Sequence, residues 1–122
     1  MTNFDDPLRD SSSEIHQRDN YVCRYCGADG KTSLDTWLTL TSDHLLPEGH
    51  PNRDNPDYIV TTCSFCNIAD NRYFDKAKAD GFDFNDPYLT PAILVYRRIP
   101  YVQSIRQEYQ DHWEEKVKTF EA

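Results

Sequence analysis

Apolar residues in the last quarter of the chain recur at helical spacing: Val102, Ile105, Tyr109, Trp113, Val117 and Phe120. That pattern places them on one side of a helix and predicts one over Tyr101–Phe120, opened by Pro100. A shorter helix precedes it, with Thr90 as cap, Pro91 at its first position and an end near Ile99. Ser64–Asp80 also reads as helical, with Ser64 as cap and Gly81 as stop. Two segments carry strand patterning: Thr36–Asp43, where Leu38 and Leu40 alternate with Thr39 and Thr41, and Tyr58–Thr62, rich in β-branched residues. Between them Leu45–Pro56 is a Pro-, Gly-, Asn- and Asp-rich loop, and Phe82–Leu89 is a turn-rich connector. Near the N-terminus, Ser11 and Glu14 form a capping-box pattern that predicts a short helix to about Asp19.

Strands and helices in this order predict an α+β protein. At 122 residues one domain is expected over 1–122, with a core at 21–80 and a helical extension at 90–122 packed on it. Eight Tyr, six Phe and two Trp supply apolar area to a chain whose mean hydropathy is −0.81. The longest apolar run, Ala92–Tyr96, is far short of the ~20 residues that span a bilayer. Met1–Asp10 is polar and acidic and lacks the pattern of a secretory signal. A cytoplasmic protein without membrane contact is therefore expected. The net charge of −8 excludes binding of nucleic acid through global basicity, so any such function must come from a local site.

Cys23-Arg-Tyr-Cys26 and Cys63-Ser-Phe-Cys66 are two C-x-x-C turns. Each such turn points two thiolates at one ion, and two complete a tetrahedron for zinc. Disulfides do not suit a chain without a secretory signal. All four thiolates would be occupied, so this zinc is structural and any catalysis lies elsewhere.

Asp43 and His44 end the first strand pattern, and Asn67 directly follows the fourth cysteine. Phosphodiester hydrolysis needs a base for water and a cation for the phosphate. Histidine is the side chain suited to proton transfer at physiological pH, so His44 suits the base; Asp43 and Asn67 are hard oxygen donors suited to Mg²⁺ or Mn²⁺. Adjacent strand residues point to opposite faces, so Asp43 and His44 can serve one centre only where the strand ends.

Three segments, 21–27, 40–47 and 59–67, together resemble the HNH (His-Asn-His) endonucleases, whose ββα-metal motif often sits in a four-cysteine zinc frame. The resemblance covers less than half the chain. It implies a zinc-stapled ββα-metal core with flanking helices, Asp43 and Asn67 as ligands of the catalytic cation, and His44 as general base. One departure stands out. The family's middle Asn, five residues before the third Cys, is Tyr58 here; Asn55, Asp57 or the Tyr58 hydroxyl are the candidates to replace it.

The function expected is a metal-dependent endonuclease acting on nucleic acid, most simply DNA. Arg53, Arg72, His50 and Asn71 are candidate substrate contacts; Arg24 and the Arg97-Arg98 pair are further basic positions. His50 is also a candidate extra metal ligand, and Asn71 can share the face of Asn67. His16 and His112 read as structural or solvent-facing. The competing expectation is a zinc-stapled interaction module with little or no activity, using the C-terminal helix to bind a protein partner or a second copy.

Overall fold

Leu40–His44 (β1) and Ile59–Cys63 (β2) form a two-stranded antiparallel sheet in register Leu40 to Cys63 and His44 to Ile59. The structure, a computed structural model, describes residues 12–122. The predicted cap Ser11 and the stretch Met1–Asp10 lie outside the described residues. Five helices surround the sheet: α1 (Ser13–Arg18), α2 (Leu34–Leu38), α3 (Ser64–Ala69), α4 (Tyr73–Ala79) and α5 (Pro91–His112). The molecule is a small α+β fold, as the sequence predicts, and among the described residues no helix is long and apolar enough to cross a membrane.

Helix α1 follows Ser12, whose hydroxyl donates to Ser42 Oγ at 3.0 Å on β1. His16 of α1 is buried, with Nδ1 2.8 Å from Thr61 Oγ1 on β2. The first cysteine turn lies between the bridged residues Val22 and Asp29. Two glycines shape it. Gly27 has φ +79°, and a Cβ at Gly30 would stand 2.7 Å from Leu40 Cδ1, so neither position suits another residue without strain or displacement.

Three element boundaries differ from the sequence pattern. Thr36–Leu38 is helical, not extended: Ser33 Oγ accepts from Thr36 N and caps α2, and the strand begins only at Leu40. Leu38 ends α2 and Leu40 opens β1, so the alternation of Leu38 and Leu40 spans a helix-to-strand junction and not one strand.

The single helix predicted over Ser64–Asp80 is broken by a 3₁₀ turn at Asp70–Arg72. Asp70 is buried there, 3.0 Å from Arg98 of α5. Cys63, not Ser64, caps α3: its Sγ accepts from Cys66 N at 3.4 Å.

The two C-terminal helices are one. Thr90 Oγ1 caps it as expected, but Pro100 lies inside α5 instead of starting a new helix. Proline removes one backbone hydrogen bond, and the flanking buried residues Arg98 and Val102 hold the turn around it.

The core gathers Cys23, Tyr25, Leu45, Leu46, Val60, Cys66, Tyr73, Ala77, Phe84, Leu94, Val95 and Val102. Aromatic edges close it below α5, with Phe82 and Phe84 4.7 Å apart and Tyr73 and Tyr101 5.5 Å apart. Packing of α5 ends soon after Val102. Phe65 meets Tyr109 edge-on at 5.3 Å, yet Tyr109, Trp113, Val117 and Phe120 are all exposed.

Both outer edges of the sheet are satisfied by side chains and loops. On β2, Thr61 N donates to Asp19 Oδ2, Arg24 N donates to Thr61 O, and Arg18 donates to Ile59 O. On β1, Asn67 donates to Ser42 O and Arg98 donates to His44 O. A two-stranded sheet this small needs such partners, because unpaired backbone groups near a core are costly.

Candidate metal centre and adjoining strand end

The four cysteines meet where the first turn, β2 and α3 converge. Their Sγ atoms all lie within 4.8 Å of one another, and Cys26 and Cys63 are 3.8 Å apart. Zinc–sulfur bonds of about 2.3 Å in a tetrahedron place sulfurs about 3.8 Å apart, so the donor set fits one zinc ion. All four thiols are free, and three are buried. The backbone supports both turns: Cys23 N donates to Ala28 O, and Gly27 N donates to Cys23 O.

Four thiolates cannot share so small a space without a cation. The Cys26, Cys63 and Cys66 sulfurs push the Cys23 thiol far down, while Cys66 is pushed far up by Cys23 and its neighbours. Metal binding resolves this conflict by deprotonating the whole set. The cluster can therefore hold a metal such as zinc, as the spacing predicts.

The strand end beyond it is built around a charge cluster that sequence spacing does not reveal. Asp43 Oδ2 accepts from the Tyr25 hydroxyl at 2.9 Å and lies 3.6 Å from Arg98 Nη1. Arg98 is fully buried. It donates to Tyr25 Oη, His44 O and Leu45 O at 3.1, 3.2 and 3.3 Å, and its guanidinium lies over the rings of Tyr73 and Phe74. Its Nε faces Asp70 at 3.0 Å, an ion contact outside hydrogen-bond alignment.

Burial, reinforced by the neighbouring Asp43, pushes the Asp70 carboxyl up, against the pull of the Arg98 charge. Burial likewise lifts Tyr25 well above the usual phenol range. Arg98 keeps its charge, because Tyr25, Asp70 and Asp43 outweigh the cost of its burial.

The candidate residues are distributed around this cluster. His44, at the last position of β1, places Nε2 3.4 Å from Asp54 Oδ1. Asp43 and His44 thus contact different groups, as neighbours on a strand do. Asn67, on α3 just past Cys66, donates Nδ2 to Ser42 O at 3.4 Å, one residue from Asp43. Tyr58, at the middle-Asn position, donates to Leu89 O and does not reach His44 by hydrogen bond; Asn55 caps the turn before it.

Several candidate contacts are committed elsewhere. His50 latches the loop: Nδ1 accepts from Asn52 N and Nε2 meets Phe84 O at 3.1 Å. Arg53 pairs with Asp54 at 3.3 Å, and Arg24 with Asp19 at 3.2 Å. Arg98 is buried and cannot meet a phosphate, while Arg97 lies over Phe82. Arg72 and Asn71 are exposed on the 3₁₀ turn. After the break Asp70 is buried and Asn71 faces outward. Tyr25, Asp70 and Asp54 are missed by sequence reasoning, and Arg98 is named there only as a basic position. The adjacent Arg97-Arg98 pair was the only signal, and it pointed to the surface.

Comparisons with protein-family models, with curated proteins and with solved structures give no match to this chain.

Proposed function

We propose that the chain is a metal-dependent endonuclease of the HNH kind that hydrolyses phosphodiester bonds of nucleic acid, most simply DNA. The reading rests on the resemblance of the three segments and on one geometric observation. The cysteine cluster joins β2 to α3 so that Asn67, next to Cys66, touches the carbonyl of Ser42, next to Asp43. The Asn67 side chain is thereby held against β1, one residue along from Asp43, which supports the pair as hard oxygen donors to one cation.

In this reading Asp43 and Asn67 hold Mg²⁺ or Mn²⁺, and the four cysteines hold structural zinc. The divalent cation, when bound, stabilises negative charge on the phosphate and on the leaving oxygen. His44, half-exposed at the strand end, takes a proton from the attacking water. Asp54 faces its Nε2 and stabilises the imidazolium that results. Water forms the new P–O bond as the bond to the leaving ribose oxygen breaks. Arg72 is the exposed cation on the segment after α3 suited to position the phosphate backbone.

A second reading, a zinc-stapled interaction module with little activity, draws on a different observation. Asp43 is already neutralised by Arg98 and hydrogen-bonded by Tyr25, which is what a purely structural carboxylate would show. A supercoiled-plasmid nicking assay at low salt separates the two. It compares Mg²⁺, Mn²⁺ and EDTA for wild type, His44→Ala and Asn67→Ala. Divalent-dependent nicking lost in both variants supports the nuclease; no nicking by folded, zinc-loaded wild type favours the interaction module.

A further inference from the structure

We infer that Arg98 is a positioning residue that occupies the charge-compensating place at Asp43 and competes with a divalent cation for that carboxylate. The inference rests on the reading of Asp43 as a cation ligand, and it adds a control from a helix 55 positions away in sequence.

The guanidinium is fixed on every side. Its nitrogens are spent on Tyr25 Oη and on the carbonyls of His44 and Leu45. Its Nε faces Asp70. The rings of Tyr73 and Phe74, 4.5 and 4.8 Å from its centre, cover its face. With no exposed surface, it has no route to swing into water when a second cation arrives. An ion on Asp43 therefore meets a permanent positive charge a few ångströms away, at low dielectric, where like charges repel strongly.

A purely supporting role makes the opposite forecast. If Arg98 only braced the strand end, replacing it would loosen Asp43 and weaken cation binding. If it competes, replacing it strengthens binding. The sign of the change decides between them.

The test titrates Mn²⁺ into the zinc-loaded full chain and follows free Mn²⁺ by electron paramagnetic resonance. Arg98→Gln is expected to bind at least about tenfold more tightly than wild type, since a unit charge at this range is worth more than one decade. Arg98→Lys, which keeps the charge, stays near wild type. Adding Asp43→Asn to Arg98→Gln removes the gain. An unchanged or weaker affinity in folded Arg98→Gln of full zinc content overturns the inference, as does a gain that survives Asp43→Asn.

Should Arg98→Gln fail to fold, the wild-type Arg98 Nε–H resonance is followed by NMR as millimolar Mg²⁺ is added. A shift supports the competition, and an unmoved signal overturns it. The nuclease reading fails separately. Wild type that never nicks, beside an Arg98→Gln variant that gains Mn²⁺ affinity, removes the activity and leaves the competition standing.

Discussion

His44 Nε2 stands 3.4 Å from the carboxylate of Asp54, across the loop that joins the two strands. The imidazole is a third exposed and Asp54 is almost fully exposed, so water reaches both. If His44 is the general base, His44→Ala lowers nicking by at least about 100-fold, the lower range for such groups. Asp54→Asn, which removes only a screened surface charge, leaves most of the activity. Plasmid nicking with equal zinc content in all samples checks both.

The cysteine cluster predicts a chelation phenotype. Structural zinc typically contributes about 10–16 kcal/mol of apparent folding free energy, and this ion would tie residue 23 to residue 66. Removing it is expected to unfold the first turn, β2 and α3 together. Far-ultraviolet circular dichroism should fall on chelation, and a thiol reagent should then count four reactive cysteines. Retained structure in a metal-free, reduced sample would contradict the assignment.

Asp19 sets an acid limb on stability. Burial alone would raise its carboxyl, but hydrogen bonds from Arg18 and from Thr61 N hold it below the usual range. A carboxyl lowered in the folded state adds stability that is present above its unfolded pKa, near 4. That stability is lost as pH falls through the folded value. Asp19→Ala is expected to cost about 1–3 kcal/mol at neutral pH, because Thr61 N loses its partner. Its urea midpoint should also vary less with pH in the acid range than that of wild type.

Pro100 is a proline in the interior of α5. Such a residue forfeits a hydrogen bond and crowds the preceding turn, at about 3 kcal/mol in an unconstrained helix. Pro100 is also exposed, so its ring fills no core space. Pro100→Ala should therefore raise the urea midpoint, by less than the full amount because the unfolded chain gains freedom. A lowered midpoint would show that the proline shapes the packing of Arg98 and Val102.

His50 joins two loops through Asn52 N and Phe84 O. His50→Ala is expected to speed amide exchange around 47–55 and 82–89 while leaving zinc content and Mn²⁺ affinity unchanged. A loss of metal affinity would support the role of ligand instead.

Much of this was legible from local pattern. The two C-x-x-C turns named the cysteine cluster, because each pair is short enough for its own backbone to set the geometry. Thr90-Pro91 marked the start of α5 and Gly81 the end of α4 for the same reason. Boundaries failed where distant residues intervened. The break after Ala69 sets Asp70 against Arg98 of a distant helix, and nothing near residue 70 announces it. Pro100 read as a helix start because the packing that carries the helix past it lies in Arg98 and Val102 and their partners.

The sequence by itself determined the α+β order of elements, the four-cysteine cluster that could hold a metal, and the neighbourhood of Asp43, His44 and Asn67, since each depends on contacts within a few residues or on paired motifs. Only the tertiary structure decided what surrounds Asp43. Tyr25, Asp70 and Arg98 come from three separate segments, and a buried arginine is stable only where folding brings carboxylates, carbonyls and aromatic faces to it at once. No local spacing encodes that convergence, so a residue that looked like a surface cation became the centre of the site.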